Sequence, residues 1–191
     1  MAKRKEEIMD EAIKIIASKG YHKTHVADIV EAVGIAKGTF YLYFNSKKDL
    51  FLALIKKYQD IFENRFDIDK VADQSYDLKS FLAAFLSEVI EINFEYRDLT
   101  IIILREAVTV DNDFNEEYKK MSQQRFKHLK SLFKYLQAKK YLKFDDFNFF
   151  ACVFTGILDS MIMKRLVLNE EELNQDQITE KAADYLSRAL R

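Results

Sequence analysis

Proline is absent from this 191-residue chain, and glycine occurs only four times, at Gly20, Gly34, Gly38 and Gly156. A β-rich protein of this length needs a turn every ten residues or so, usually built on Gly or Pro. That scarcity points to an all-α chain. Cysteine occurs once, as Cys152, so an internal disulfide and the secreted frameworks built on them are excluded. No stretch reaches the roughly eighteen uninterrupted apolar residues of a membrane span. The longest apolar run, Phe149 to Leu158, is broken by Thr155 and Gly156. Residues 1–9 are charged and lack the apolar core of a signal peptide. These absences lead us to expect a cytoplasmic protein with no membrane partner. With 49% hydrophobic and 32% charged residues, the composition is that of a folded globular chain.

The net charge is −1, but it is unevenly spread. Residues 1–50 hold nine Lys/Arg and seven Asp/Glu, a net of +2, leaving 21 and 24, a net of −3, for residues 51–191. Hydrophobic periodicity divides the chain into nine helices. The first covers residues 3–19, with Ile8, Ala12, Ile15 and Ile16 on one face and Gly20 at its end. Thr24 is expected to cap a second helix through Val33, with Val26, Ile29, Val30 and Val33 inward and Gly34 in the turn. A third spans Lys37 to Phe44. Ser46 and Asp49 have capping-box spacing and open a fourth, Lys47 to Phe66. The polar segment Asp67 to Tyr76 reads as a connection. Five more helices follow: Leu78 to Tyr96, Leu99 to Val108, Asn112 or Asp113 to Lys140, Asp145 (as cap) to Leu168, and Asp176 to Leu190. The β-branched run Ile101 to Ile103 could form a strand, but it would have no partner.

Residues 24–44, THVADIVEAVGIAKGTFYLYF, read as helix, glycine turn and second short helix. In a helix-turn-helix the second helix enters the major groove and the first braces it across the backbone. Phe40 and Phe44 supply an inner face four residues apart. Lys37, Gly38, Thr39, Tyr41 and Tyr43 lie on the outer side. Lys and Tyr offer donors to phosphates, Thr39 can meet a base edge or a thymine methyl, and Gly38 admits close backbone approach.

The pattern G-Y-x-x-T-x-V-x-D-I-V-x-x-V-G-I-A-K-G-T-F-Y-x-Y-F-x-S-K-x-D-L, from Gly20 to Leu50, closely resembles the DNA-binding domain of the tetracycline-repressor (TetR) family. The resemblance is strong over residues 8–55 and concerns layout alone beyond residue 60. It implies an all-α, nine-helix homodimer with a helix-turn-helix DNA-binding domain at 1–50 and an effector-binding and dimerisation domain at 51–191. The implied DNA-binding residues are Thr24, His25, Lys37, Gly38, Thr39, Tyr41, Tyr43 and Lys47. Of these, Thr24 matches the cap of the bracing helix and Lys47 a phosphate-contacting lysine. Ala36 departs from the family's frequent serine, leaving a first-turn amide without a side-chain acceptor, at a cost of about 1 kcal/mol. The layout also implies that the last two long helices form the dimer interface. Phe147, Phe150, Leu158, Ile162 and Leu186 are candidates there, with Gly156 permitting close approach.

No motif marks the effector site. Sixteen Phe and ten Tyr either form plain core or line an apolar cavity. Candidate effector contacts are Phe81, Phe85, Glu88, Arg105 and Phe126, with Arg105 the natural anchor for a carboxylate or phosphate. Asn93, Arg125 and Asp159 also sit beside apolar stripes, and a buried charge needs a partner. This composition suits a fatty acyl or aromatic compound with an acidic group. The fourth helix, joining the two domains without a flexible linker, is the natural lever. The sequence indicates no cofactor. Lys3, Arg4 and Lys5 could form a minor-groove arm or a frayed terminus. His22, His25 and Asp28 fit no zinc spacing, and nothing resembles a phosphate loop or nucleophile elbow, so an enzyme is not expected. The expected function is a ligand-responsive regulator, a repressor, on palindromic operator DNA. An architectural DNA binder without effector, or a member that has lost DNA binding, are the alternatives.

Overall fold

The computed structural model describes residues 2–65, 67–73, 77–106, 112–143, 145–168 and 175–190. Within the helices, the side chains of 2, 73, 112–115, 117–118, 121–122, 167 and 175–176 are not described. Among the described residues every regular element is a helix: α1 (Ala2–Lys19), α2 (Val26–Val33), α3 (Lys37–Tyr41), α4 (Lys47–Arg65), α5 (Ile68–Asp73), α6 (Leu78–Glu95), α7 (Arg97–Glu106), α8 (Asn112–Ala138), α9 (Phe147–Ile162) and α10 (Gln175–Ala189). A π-helical turn, Met163–Val167, prolongs α9. The expected ends at Phe66 and Val108, the caps at Asn112, Asp113 and Asp176, and the stripe positions Tyr118 and Met121 lie outside the described residues and side chains.

The all-α expectation holds, but the count of nine does not: ten α-helices occur among the described residues. The extra one is α5, inside the segment read as a connection. Its first turn forms because the Asp67 carboxylate accepts from the Asp69 and Lys70 amides at 3.0 and 3.3 Å, and because Val71 is buried. One buried residue leaves no periodicity for a sequence reading to detect.

The helices pack into two compact units. The first comprises Met1–Ile61 and Tyr96–Met121, the second Phe62–Glu95 and Ser122–Arg191. This division differs from the expected boundary at residue 50, because α7 packs on α1. Leu99, Ile102 and Ile103 share a core with Ile8, Met9, Ala12, Ile16, Ile29, Phe40, Leu50, Phe51 and Leu54. The run Ile101 to Ile103 is therefore helical, with all three residues buried.

In the second unit, α6 lies along α10 and also meets α5 and α9. Asp77 and Ser80 cap α6 reciprocally, each accepting from the other's amide at 2.7 and 3.0 Å. The cap of α9 is Asp146, not Asp145: its carboxylate accepts from the Phe149 amide at 2.9 Å. The core is strongly aromatic. Phe81 stacks on Tyr135, Phe85 meets Phe154 edge-on, and Phe150 stacks on Phe154. The α9 segment Phe147–Leu166 is long and apolar enough to cross a membrane by length and composition. Phe150, Phe154, Leu158, Ile162 and Leu166, four apart, are instead the stripe it buries against its own unit.

Candidate nucleic-acid interface

The interface candidate is built on α2, its turn and α3. Gly34 holds φ +71°, a left-handed conformation cheap for glycine, and returns its amide to Glu31 at 3.1 Å. That tight turn sets α3 against the core through Phe40 and Phe44, 0% and 2% exposed. Their rings lie 5.7 Å apart. The inner face expected for the second helix is therefore present. As Ala36 led us to expect, α3 starts without a side-chain cap. It is also shorter than expected, ending at Tyr41. The chain continues in a turn, with the Tyr43 and Phe44 amides donating to the Phe40 carbonyl.

On the other side, Lys37, Gly38, Tyr41 and Leu42 are exposed, and Thr39 and Tyr43 are half-buried. Leu42 is 82% exposed and was missed by sequence reasoning. Counting apolar spacing assigns a leucine to the core, and a five-residue helix is too short to show which face it takes. A Cβ added at Gly38 would meet nothing within 4 Å, so glycine there is not required by the chain's own packing.

Three expected contacts are built differently. Thr24 is wholly buried, and its hydroxyl donates to the Gly20 carbonyl at 2.8 Å. It closes the α1–α2 turn and is not the cap of α2. That position is His25, which is exposed and whose amide donates to the Asp28 carboxylate at 2.9 Å. This bond, with Lys19 nearby at 3.6 Å, holds the Asp28 carboxyl below its ordinary range. Lys47 does open α4, but its ammonium donates to the Tyr21 and Thr24 carbonyls, both at 2.8 Å. It also sits 4.2 Å from the Tyr21 ring centre, and partial burial lowers its pKa. Ser46 accepts from the Asp49 amide as its spacing suggested, while the Asp49 carboxylate takes the Asn45 amide instead. The basic start is neither arm nor frayed end: Lys3, Arg4 and Lys5 lie in α1, with Lys5 5.4 Å from the Phe44 ring centre. Among the described residues no group of three or more His, Cys, Asp or Glu is placed to hold a metal ion.

The effector candidates do not converge. Arg105 belongs to the first unit, where its guanidinium caps α1 by donating to the Ile16 and Ala17 carbonyls at 3.2 and 2.9 Å. Glu106 braces it at 3.0 Å. Phe81 and Phe85 are filled core at 1% and 4% exposure, Glu88 is half-buried, and Phe126 is exposed on α8. Of the other polar residues, Arg125 and Asp159 pair bidentately at 2.8 and 3.0 Å, and the buried Asn93 donates to Val89. The interface candidates are corrected as well. Phe150, Leu158, Ile162 and Leu186 face their own core, and Phe147 is partly buried against it. The exposed apolar positions of α9 and α10 are Phe149, Val153 and Tyr185.

Residues 8–54 match the family model described as bacterial regulatory proteins, tetR family. The chain belongs to the tetR family. This tetR-family chain is 40% identical over 63 residues to the fatty acid metabolism regulator protein of Bacillus subtilis (strain 168). That match spans 33% of this chain and 32% of the relative, about a third of its length. Its fold resembles the transcriptional regulator FadR from Bacillus subtilis, solved with stearoyl-CoA, at TM-score 0.79 and 20% identity over 97% of this chain and 98% of that one. It also resembles AibR, solved with isovaleryl coenzyme A and operator DNA, at TM-score 0.76 and 20% identity over 95% and 97%.

Proposed function

We propose that this chain is a cytoplasmic transcriptional repressor that binds a near-palindromic operator as a homodimer and is released by an apolar, acidic effector. The observation that carries the DNA half is α3. Its two phenylalanines are buried, which turns Lys37, Gly38, Thr39, Tyr41, Leu42 and Tyr43 outward behind a rigid glycine turn. A short helix so presented fits the major groove. Lys37 and Thr39 are assigned to base edges, Tyr41 and Tyr43 to phosphates, and Leu42 to a thymine methyl. His25, exposed at the start of α2, lies where a bracing helix crosses the backbone. The AibR complex with operator DNA supports this reading by likeness of fold. The complexes of FadR and AibR with acyl-CoA molecules support an acyl effector in the same way.

Two-fold protein symmetry calls for two-fold operator symmetry. Selection from random duplex DNA should therefore return an inverted repeat with half-sites about 34–36 Å apart. Thr39 and Lys37 variants should select altered bases, whereas Tyr43→Ala should weaken all sequences alike. Selection that returns no motif, or all three variants binding as the parent does, refutes the assignment. For the effector, a tenfold loss of operator affinity corresponds to about 1.4 kcal/mol of coupling. It can arise only if the effector prefers one of two conformations.

A further inference from the structure

Within the second unit, three helices leave a small apolar cleft. Ile90 and Phe94 of α6, Met161 and Ile162 of α9 and Ile178 of α10 line it, enclosing about 260 Å³ of empty space. The sixth lining residue is Arg165. One terminal guanidinium nitrogen of Arg165, Nη1, is buried and has no hydrogen-bond partner among the described residues. Such an atom is anomalous. Arginine stays protonated in proteins, and a buried donor left unpaired loses its hydration with nothing in return. Every other lining side chain is apolar, so the cleft itself offers no acceptor.

The backbone delivering this arginine is also unusual. Met163–Val167 is π-helical, and the Leu168 amide donates to the Met163 carbonyl five residues back, at 3.1 Å. A π turn gives up regular helical bonding and occurs disproportionately at functional sites. Here it carries the one charged side chain of the cleft. A core that needed only apolar filling would require neither the π turn nor the arginine.

We infer that this cleft is the effector's anchor site, with Arg165 receiving the anionic oxygen of a medium-length apolar chain whose tail lies against Ile90, Phe94, Met161, Ile162 and Ile178. The inference rests on the effector reading above and replaces Arg105 as the anchor. The planar guanidinium donates well to carboxylate or phosphate oxygens. At about 260 Å³ the cleft falls just below the usual range for drug-sized ligands, which favours a medium chain over a long one. A free carboxylate and the anionic head of an acyl thioester share this chemistry.

The test uses the full chain, wild type and Arg165→Met, with octanoate, octanoyl-CoA and neutral octanol as probes. Thermal shift and calorimetry are read without DNA, and operator release and sedimentation alongside. One or both anionic probes should stabilise the wild type where octanol does not, and which one does so identifies the head group. Arg165→Met should melt at or above the wild-type temperature without ligand, since it removes an unpaired buried donor, and should bind the anionic probe tenfold or more weaker. A variant that binds like wild type places the anchor elsewhere while the effector reading stands. A variant that melts lower without ligand, or turns monomeric, makes the guanidinium a structural or subunit contact and overturns the inference. A wild type that binds its selected operator but responds to neither anionic probe removes the acyl-effector reading itself, and the inference with it.

Discussion

Lys47 spends its charge inside its own unit, on the Tyr21 and Thr24 carbonyls that end the α1–α2 connection. Replacing it with Met keeps the aliphatic stem and leaves two carbonyls unpaired in a partly buried place. We expect Lys47→Met to lower unfolding stability by about 1–2 kcal/mol, the scale of a charge-assisted hydrogen bond discounted for partial exposure. Urea unfolding measures it. A lysine serving only a phosphate would leave stability unchanged and reduce the salt dependence of DNA binding by about one counterion. The spacing of Ser46 and Lys47 indicated that this lysine had a role. It could not indicate which, because its acceptors are main-chain atoms 23 and 26 residues away. Arg105 was misread for the same reason. Its place after Ile101 to Leu104 suggested a buried anchor, but its acceptors are the last carbonyls of α1, and carbonyls leave no trace in a sequence.

Among the elements, α3 separates what the fold needs from what binding needs. Gly38 has ordinary helical space around it, and no neighbour obstructs an added methyl group. Gly38→Ala should therefore stabilise the folded chain by about 0.5–1 kcal/mol, as expected for a helical glycine. The same methyl would stand between the α3 backbone and a DNA backbone or base edge. Operator affinity should fall while the melting temperature rises, with melting curves and operator titrations run on one preparation. Unchanged affinity would mean that Gly38 does not approach DNA closely. Element ends were legible where a residue has few uses, as with Gly20 and Gly34, both at positive φ. They were less so where context overrides preference. Helix α8 stops at Ala138, and Lys140 takes φ +59° with no glycine to announce it. Two adjacent aspartates, 145 and 146, offered two caps for α9, and only local geometry selected the second. The helix-turn-helix was readable in full because its glycine turn, buried phenylalanines and caps are all short-range.

At the scale of the whole molecule, the proposed homodimer needs an apolar face that the chain does not cover itself. A stable interface buries about 800 Å² per partner, and residues already in the core cannot contribute to it. Phe149, Val153 and Gly156, spaced four and three apart, are exposed on one side of α9, and Tyr185 is 71% exposed on α10. Phe149→Glu with Val153→Glu should therefore leave each protomer folded, because neither side chain is part of the core. It should halve the sedimenting mass from about twice 22.6 kDa to 22.6 kDa. Leu158→Ala should do the opposite. That residue is 8% exposed within the second core, so truncation removes packing and costs about 2–5 kcal/mol of stability, without acting selectively on assembly. The consequence for DNA follows from linkage of two sites. A dimer that places one half presents the second at millimolar effective concentration, worth 10²- to 10⁴-fold in affinity. The double glutamate variant should lose about that factor on an inverted repeat and almost nothing on an isolated half-site. A variant that still sediments as a dimer would show that the two copies meet elsewhere. One that turns monomeric yet keeps full affinity for the repeat would show that operator binding does not depend on the pairing of subunits.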